Sequence, residues 1–218
     1  MLCAIWTALA LPAIIAGMIL HRKAEAWGKS NWAILPKCLS TWMIVGNAVL
    51  GIWAAGDRGG LDKKWILAAL ILFLMADGFL QVSFFAGMAV FGAGHLVLIA
   101  WFLTRGAFHP ISILWWILFL GGALLLFRRE MERGREKPLL YAMLLYPAVL
   151  MGMTAIAVTL PSMLGAGYLW AAAGAVLFAV SDLMVGKGFF RKLSPPADAL
   201  ALGLYYAGIF CISMMTWF

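Results

Sequence analysis

Apolar residues run along the chain in eight stretches, about 2–20, 32–54, 65–83, 86–103, 110–127, 138–160, 165–185 and 199–217. Each is close to the ~20 residues that a helix needs to cross ~30 Å of hydrocarbon. The pattern predicts an all-α fold, a polytopic membrane bundle of eight transmembrane helices in a single integral membrane domain, 1–218. Short clusters of charge, glycine and proline separate the stretches. Asp57-Arg58-Gly59-Gly60 divides the second from the third, Arg105 to His109 the fourth from the fifth, and Arg128 to Lys137 the fifth from the sixth. Pro161 is expected to open a short turn before the seventh, and the hairpin between the third and fourth is very tight. Pro12, Pro36 and Pro147 fall inside spans and are expected to kink them or to mark first turns.

Composition strengthens the membrane reading. The chain is 65% apolar and only 11% charged, with a mean hydropathy of +0.99, so the bilayer is its solvent. The first stretch has no basic leading segment and no small-residue cleavage site, which marks it as a retained helix. Cys3, Cys38 and Cys211 lie in or beside apolar runs without metal-ligand spacing and read as small buried hydrophobes. No metal and no cofactor are expected. A net charge of +7 would suggest a nucleic-acid partner in a soluble protein; here it reads as basic loops on one membrane face, and no nucleic acid is expected.

The basic residues sort by side. Arg22, Lys23, Lys29, Arg128, Arg129, Arg133, Arg135, Lys137, Lys187, Arg191 and Lys192 share one face, against Arg58, Lys63, Lys64 and Arg105 on the other. The positive-inside rule makes the first face cytoplasmic and puts both termini outside, in a multi-pass protein of the bacterial inner membrane. Trp27, Trp32, Trp53, Trp65 and Trp217 fall near span ends, where an aromatic belt forms.

Within this apolar background two carboxylates stand out. Asp77 and Asp182 lie inside spans three and seven, in the frames Leu72-Phe73-Leu74-Met75-Ala76-Asp77 and Leu177-Phe178-Ala179-Val180-Ser181-Asp182. Both frames continue to a Phe-Phe pair at one offset, Phe84-Phe85 and Phe189-Phe190, and five of fourteen positions match between 72–85 and 177–190. A carboxylate in hydrocarbon costs about 2.5–3.5 kcal/mol on insertion scales, so two in matching frames point to a site made by duplication. The 105-residue offset maps spans one to four onto five to eight and predicts two parallel four-helix repeats, about 1–104 and 109–218, that bring the aspartates together at the bundle centre.

Other polar groups cluster with them by depth. Asp77 lies roughly 9 Å inside the boundary on the basic-loop side, Asp182 about one turn from the end of its span, and Lys37 about six residues into span two. His95 sits near the middle of span four and Asn47 deeper in span two, and Tyr141, Tyr146, Tyr205 and Tyr206 offer hydroxyls from spans six and eight. Each has a plainer alternative. Lys37 can snorkel to the interface, and the aspartates can be structural partners of Lys37 or of the backbone. His95 can be an interhelical hydrogen bonder and the tyrosines can be packing residues. The run from Arg128 to Lys137 is by default a solvated charge run. As a group they suggest an acid and a base made from two like carboxyls in unlike surroundings, just under a headgroup layer, where the substrate is itself a lipid. The sequence contains no Gly-x-Ser-x-Gly, His-Glu-x-x-His or Cys-x-x-Cys, which argues against a serine lipase or a metalloenzyme. A proton-coupled transporter or carrier using the same intramembrane carboxylates is the alternative.

Leu35-Pro36-Lys37-Cys38-Leu39, Ala76-Asp77-Gly78-Phe79-Leu80, Phe84-Phe85-Ala86-Gly87-Met88 and Phe91-Gly92-Ala93-Gly94-His95-Leu96 carry a further signal, continued by Leu177 to Asp182 and Tyr205-Tyr206-Ala207-Gly208. In this order they resemble the YhhN family of lysoplasmalogenase-like membrane proteins. The resemblance implies eight spans and metal-independent hydrolysis of the vinyl ether bond of a lysoplasmalogen, a lysophospholipid drawn from the membrane. The products would be a fatty aldehyde and glycerophosphocholine or glycerophosphoethanolamine. By the resemblance Lys37, Asp77, His95 and Asp182 occupy family motif positions. The chemistry makes Asp77 and Asp182 the candidate catalytic pair, one as acid and one as ionised group, with Lys37, His95, Asn47, Tyr141 and Tyr205 as supporting candidates. The chain departs from the family pattern at Leu98, Ala76 and Ile209, where tyrosine, glycine and glutamine are usual.

Overall fold

Eight long helices form where the apolar stretches lie: α1 (Leu2–Ala26), α2 (Ser30–Ala55), α3 (Gly60–Val82), α4 (Phe84–Thr104), α5 (Ile111–Arg133), α6 (Lys137–Leu164), α7 (Leu169–Phe190) and α8 (Pro195–Met214). The computed structural model describes residues 2–28, 30–56, 60–106, 108–133 and 137–218. Lys29, Asp57, Arg58, Gly59 and Arg135, used above for span division and orientation, lie outside the described residues, as do the side chains of Arg133 and Lys137. All eight helices are long and apolar enough to cross a membrane, so the chain is an all-helical, multi-pass integral membrane protein.

Several boundaries differ from the sequence reading: α1 runs to Ala26 rather than 20, α3 starts at Gly60 rather than 65, α5 runs to Arg133 rather than 127, and the later ends of α6 and α7 bear on the site. Helix α6 runs through Pro161 to Leu164, and what stops it is Gly165. That residue adopts φ 99°, a region that glycine enters at little cost, and its N–H bonds the Pro161 carbonyl at 3.1 Å before a 3₁₀ turn at 166–168 leads into α7. Helix α7 in turn continues past the expected end at 185 to Phe190. Lys187 does not terminate it, because its ammonium sits 2.7 Å from Glu130 and also donates to the Leu126 carbonyl, both on α5. Asp182 therefore lies eight residues from the end of its helix, deeper than the single turn expected.

The third and fourth helices are joined by Ser83 alone. Its extended backbone (φ −155°, ψ 122°) makes the turn, and its hydroxyl accepts the Ala86 N–H at 3.4 Å as an N-cap. This connection keeps Asp77 and the first turns of α4 at the same end of the bundle.

Packing follows one scheme in both halves of the chain. Helix α3 lies against α4 and against α2, while α7 lies against α8 and against α6. The halves are joined by α4 on α6 and by α2 on α8. Helices α1 and α5 are peripheral, α1 on α2 and α8, α5 on α6 and α7. With lipid outside, close approach depends on small residues rather than on a hydrophobic drive. A Cβ on Gly174 would stand 2.7 Å from the Gly208 carbonyl oxygen, so α7 and α8 need glycine at that crossing. Gly94 leaves the space that the Phe73 ring occupies. In the bundle centre Phe73 meets Phe178 at 5.0 Å between ring centroids, and Phe84 stacks on Phe189 at 4.3 Å. Both are pairs related by the 105-residue offset.

Candidate functional site

Six helices, α1 to α3 and α6 to α8, bring polar side chains to one cavity of about 250 Å³. Helix α2 contributes Lys37, α3 Asp77, α6 Tyr146, α7 Ser181 and Asp182, and α8 Tyr205. All come from the helix ends nearest the basic loops. The walls between them are apolar and aromatic, with Phe84, Phe85, Phe91, Leu150, Phe189 and Phe190. His21, Glu25, Gln81 and Asp198 complete the lining. The rim is tied by Arg22 to Asp198 at 3.1 Å and by His21 Nδ1 to the Ala33 carbonyl at 2.7 Å.

Asp77 is held from three sides. Its side chain is 1% exposed, with Oδ1 3.2 Å from the Lys37 ammonium. Oδ2 accepts the Thr41 hydroxyl at 2.5 Å and the Tyr205 phenol at 2.8 Å. A buried carboxylate with a cation and two hydroxyl donors has its charge matched and its lone pairs used. The Lys37 side chain keeps 12% of its surface exposed and lines the cavity, so Asp77 presents that ammonium to the interior. The Tyr206 phenol donates to the Lys37 carbonyl at 3.2 Å and fastens α8 to α2 beside it.

Asp182 is held differently. Its Oδ2 accepts a hydrogen bond from the Tyr146 phenol, and among the described residues no ion pair reaches it. It is half-buried, whereas Asp77 is fully buried. The neighbouring Ser181 donates to the Ala201 carbonyl at 2.8 Å, which fixes the rotation of α7 so that Asp182 faces the cavity.

The 105-residue correspondence extends into α2 and α6. Thr41 lies 36 residues before Asp77, and Tyr146 lies 36 residues before Asp182, and each donates to its own aspartate. By the same offset Lys37 corresponds to Ala142, which lines the cavity and carries no charge.

The structure brings Lys37, Asp77, Asp182 and Tyr205 to one place. The other candidates lie elsewhere. His95 is 0% exposed behind the wall, with ring centroids 4.7 Å from Phe178, 5.2 Å from Phe73 and 6.0 Å from Tyr146, and neither ring nitrogen has a hydrogen-bond partner among the described residues. Asn47 does not line the cavity; its amide donates to the Ser213 hydroxyl at 2.8 Å and accepts the Trp217 indole N–H at 3.2 Å. Tyr141 is 64% exposed on the outside of α6. Thr41 is the site residue that sequence reasoning passed over, and Tyr146 is the one of four tyrosines whose role only the fold distinguishes. The signal for both was present, since adding 105 to 41 gives a hydroxyl-bearing residue at each position.

Chemically, the cavity combines a fixed ammonium–carboxylate pair, a carboxyl at Asp182 with no ion pair among the described residues, and apolar walls. That defines the class, a polytopic helical membrane protein with a carboxylate-bearing cavity beneath one membrane face. The chain matches the YhhN family over residues 32–216, most of its length and including Lys37, Thr41, Asp77, Tyr146, Asp182 and Tyr205, and belongs to that family. Comparison with curated proteins and with solved structures gave no match.

Proposed function

We propose that the protein is a lysoplasmalogenase-like hydrolase that cleaves the vinyl ether bond of a lysoplasmalogen taken from the membrane. The observation that carries this reading is that two aspartates line one cavity with unlike partners, Asp77 with an ammonium and two hydroxyls, Asp182 with one phenol. A reaction with a cationic intermediate between two neutral species uses such an arrangement.

Asp182 is the general acid. Its proton passes to the alkenyl carbon beyond the ether-bearing one, and the ether carbon becomes an oxocarbenium ion beside the new carboxylate. Water adds to that carbon while the Asp182 carboxylate takes its proton, which restores the acid. The hemiacetal then breaks its bond to the glycerol oxygen, which takes a proton from Asp182 while the hemiacetal hydroxyl returns its own, giving a fatty aldehyde and a glycerophosphocholine or glycerophosphoethanolamine alcohol. Asp77 keeps Lys37 in place, and the Lys37 ammonium faces the substrate as a partner for the phosphate. The aromatic walls hold the alkenyl chain and exclude bulk water, which favours charge separation along the fixed groups.

The reading includes two parallel repeats, 1–104 and 109–218, and a location in the bacterial inner membrane with the site towards the cytoplasm. A carrier for a lipid-like substrate is the second reading, favoured by the matched packing of the two halves. Purified protein in detergent is expected to release aldehyde from lysoplasmalogen without any gradient, and Asp182→Asn is expected to stop it. Folded wild-type protein that releases no aldehyde, or a folded Asp182→Asn that retains full release, overturns the proposal.

A further inference from the structure

The cavity and the chain carry opposite charge. The protein has a net charge of +7, yet the cavity is lined by four of its nine acidic residues, Glu25, Asp77, Asp182 and Asp198, and by Lys37 alone of its lysines and arginines. Three of those acids have a basic neighbour. Asp77 meets Lys37 at 3.2 Å, Asp198 meets Arg22 at 3.1 Å, and Glu25 meets the His21 ring at 3.5 Å. Asp182 has none among the described residues, although it is half-buried in an apolar wall. In such surroundings a carboxyl is neutralised either by a proton or by a cation brought to it.

The first half of the molecule shows what that cation looks like. There the aspartate has the Lys37 ammonium four residues before its hydroxyl donor, Thr41. In the second half the hydroxyl donor is Tyr146, and four residues before it stands Ala142, whose methyl lines the cavity. A lysine at this point would serve Asp182 as Lys37 serves Asp77; alanine leaves the space to a ligand. Phe189 and Phe190 line the same cavity, and aromatic rings attract an ammonium at their faces.

We propose that the cavity is a receptor for one positive charge at the head of an apolar chain, taken against Asp182 at the place corresponding to the Lys37 ammonium. The ligand class is an alkylammonium amphiphile, or a lipid that develops positive charge at that point. The inference rests on the cavity and not on turnover. It deepens the hydrolase reading, in which the oxocarbenium ion occupies this place, and it holds equally for a carrier.

The test compares dodecylamine with dodecanol at neutral pH, by binding to the purified full-length protein in detergent. Wild type is expected to bind the amine about tenfold more tightly than the alcohol. Asp182→Asn and Ala142→Lys are expected to bring the ratio close to one, while Ala142→Leu, which adds bulk without charge, keeps the preference for the amine. Equal affinity in wild type, or an undiminished ratio in Asp182→Asn, overturns the proposal. Should Asp182→Asn fail to fold, the alanine pair decides, and an Ala142→Lys protein that keeps the preference overturns it. Butylamine bound as tightly as dodecylamine would overturn the apolar-chain requirement. Aldehyde release from lysoplasmalogen by the same wild-type preparation separates the two ideas. Preference without hydrolysis leaves the cation site and removes the hydrolase; hydrolysis without preference does the reverse.

Discussion

Asp77 accepts hydrogen bonds from Thr41 and Tyr205 and is paired with Lys37; Asp182, in the matching frame, accepts one from Tyr146 and pairs with no basic residue among those described. The acids are identical and their helices equivalent, so the difference lies wholly in the neighbours. Lysine against alanine and threonine against tyrosine at corresponding positions of α2 and α6, with Tyr205 of α8 on the Asp77 side alone, leave one carboxylate in a fixed ion pair and the other without one among the described residues. In the proposed reaction two like carboxyls thus divide an acid's work between them, one organising the site and one reacting in it.

Five single substitutions probe that contrast. The largest expected effect is on catalysis, where Asp182→Asn should lower aldehyde release by about 10²–10⁴-fold with little change in thermal unfolding. The largest effect on stability belongs to the other half. Asp77→Asn leaves the buried Lys37 ammonium unmatched and should cost about 3–5 kcal/mol, read as a lower unfolding temperature in detergent. Adding Lys37→Met to Asp77→Asn should recover much of that loss, because neither charge then remains; a double variant no more stable than Asp77→Asn would show that the pair is not what holds Asp77. Next, Tyr146→Phe removes the one hydrogen bond to Asp182 and should reduce turnover about tenfold or more, for a loss of about 1.5–3 kcal/mol, with substrate affinity less affected. The smallest effects fall outside the cavity: Asn47→Ala should cost about 1–3 kcal/mol of stability with turnover per folded molecule unchanged, and Tyr141→Phe should change neither measurement.

The eight helices were legible because the apolar stretches are long and separated by charge, and hydropathy alone reports that. Their ends were less so. Pro161 and Lys187 both look like breakers, but a proline can be carried within a membrane helix, and a lysine matched by Glu130 and the Leu126 carbonyl need not leave it. The site was half legible. Asp77, Asp182 and Lys37 are conspicuous as charges in hydrocarbon, and Tyr205 stood among motif residues. Which face of a helix a neutral polar residue occupies is a matter of rotation and packing, and so Asn47 and Tyr141 looked as eligible as Thr41 and Tyr146. Thr41 was the hardest to see, since its counterpart is a tyrosine and the shared feature is a hydroxyl, not a residue identity.

Phe85 and Phe189 line the cavity and are also each 45% exposed on the outer surface of the bundle. The partition between the interior and the surrounding lipid is there a single side chain thick. An aliphatic tail that crosses at this point goes from one hydrocarbon-like medium to another and never meets water, so it avoids the transfer cost of about 0.8 kcal/mol for each methylene. Extraction of a membrane-embedded molecule, usually the expensive part of handling one, becomes a short lateral step.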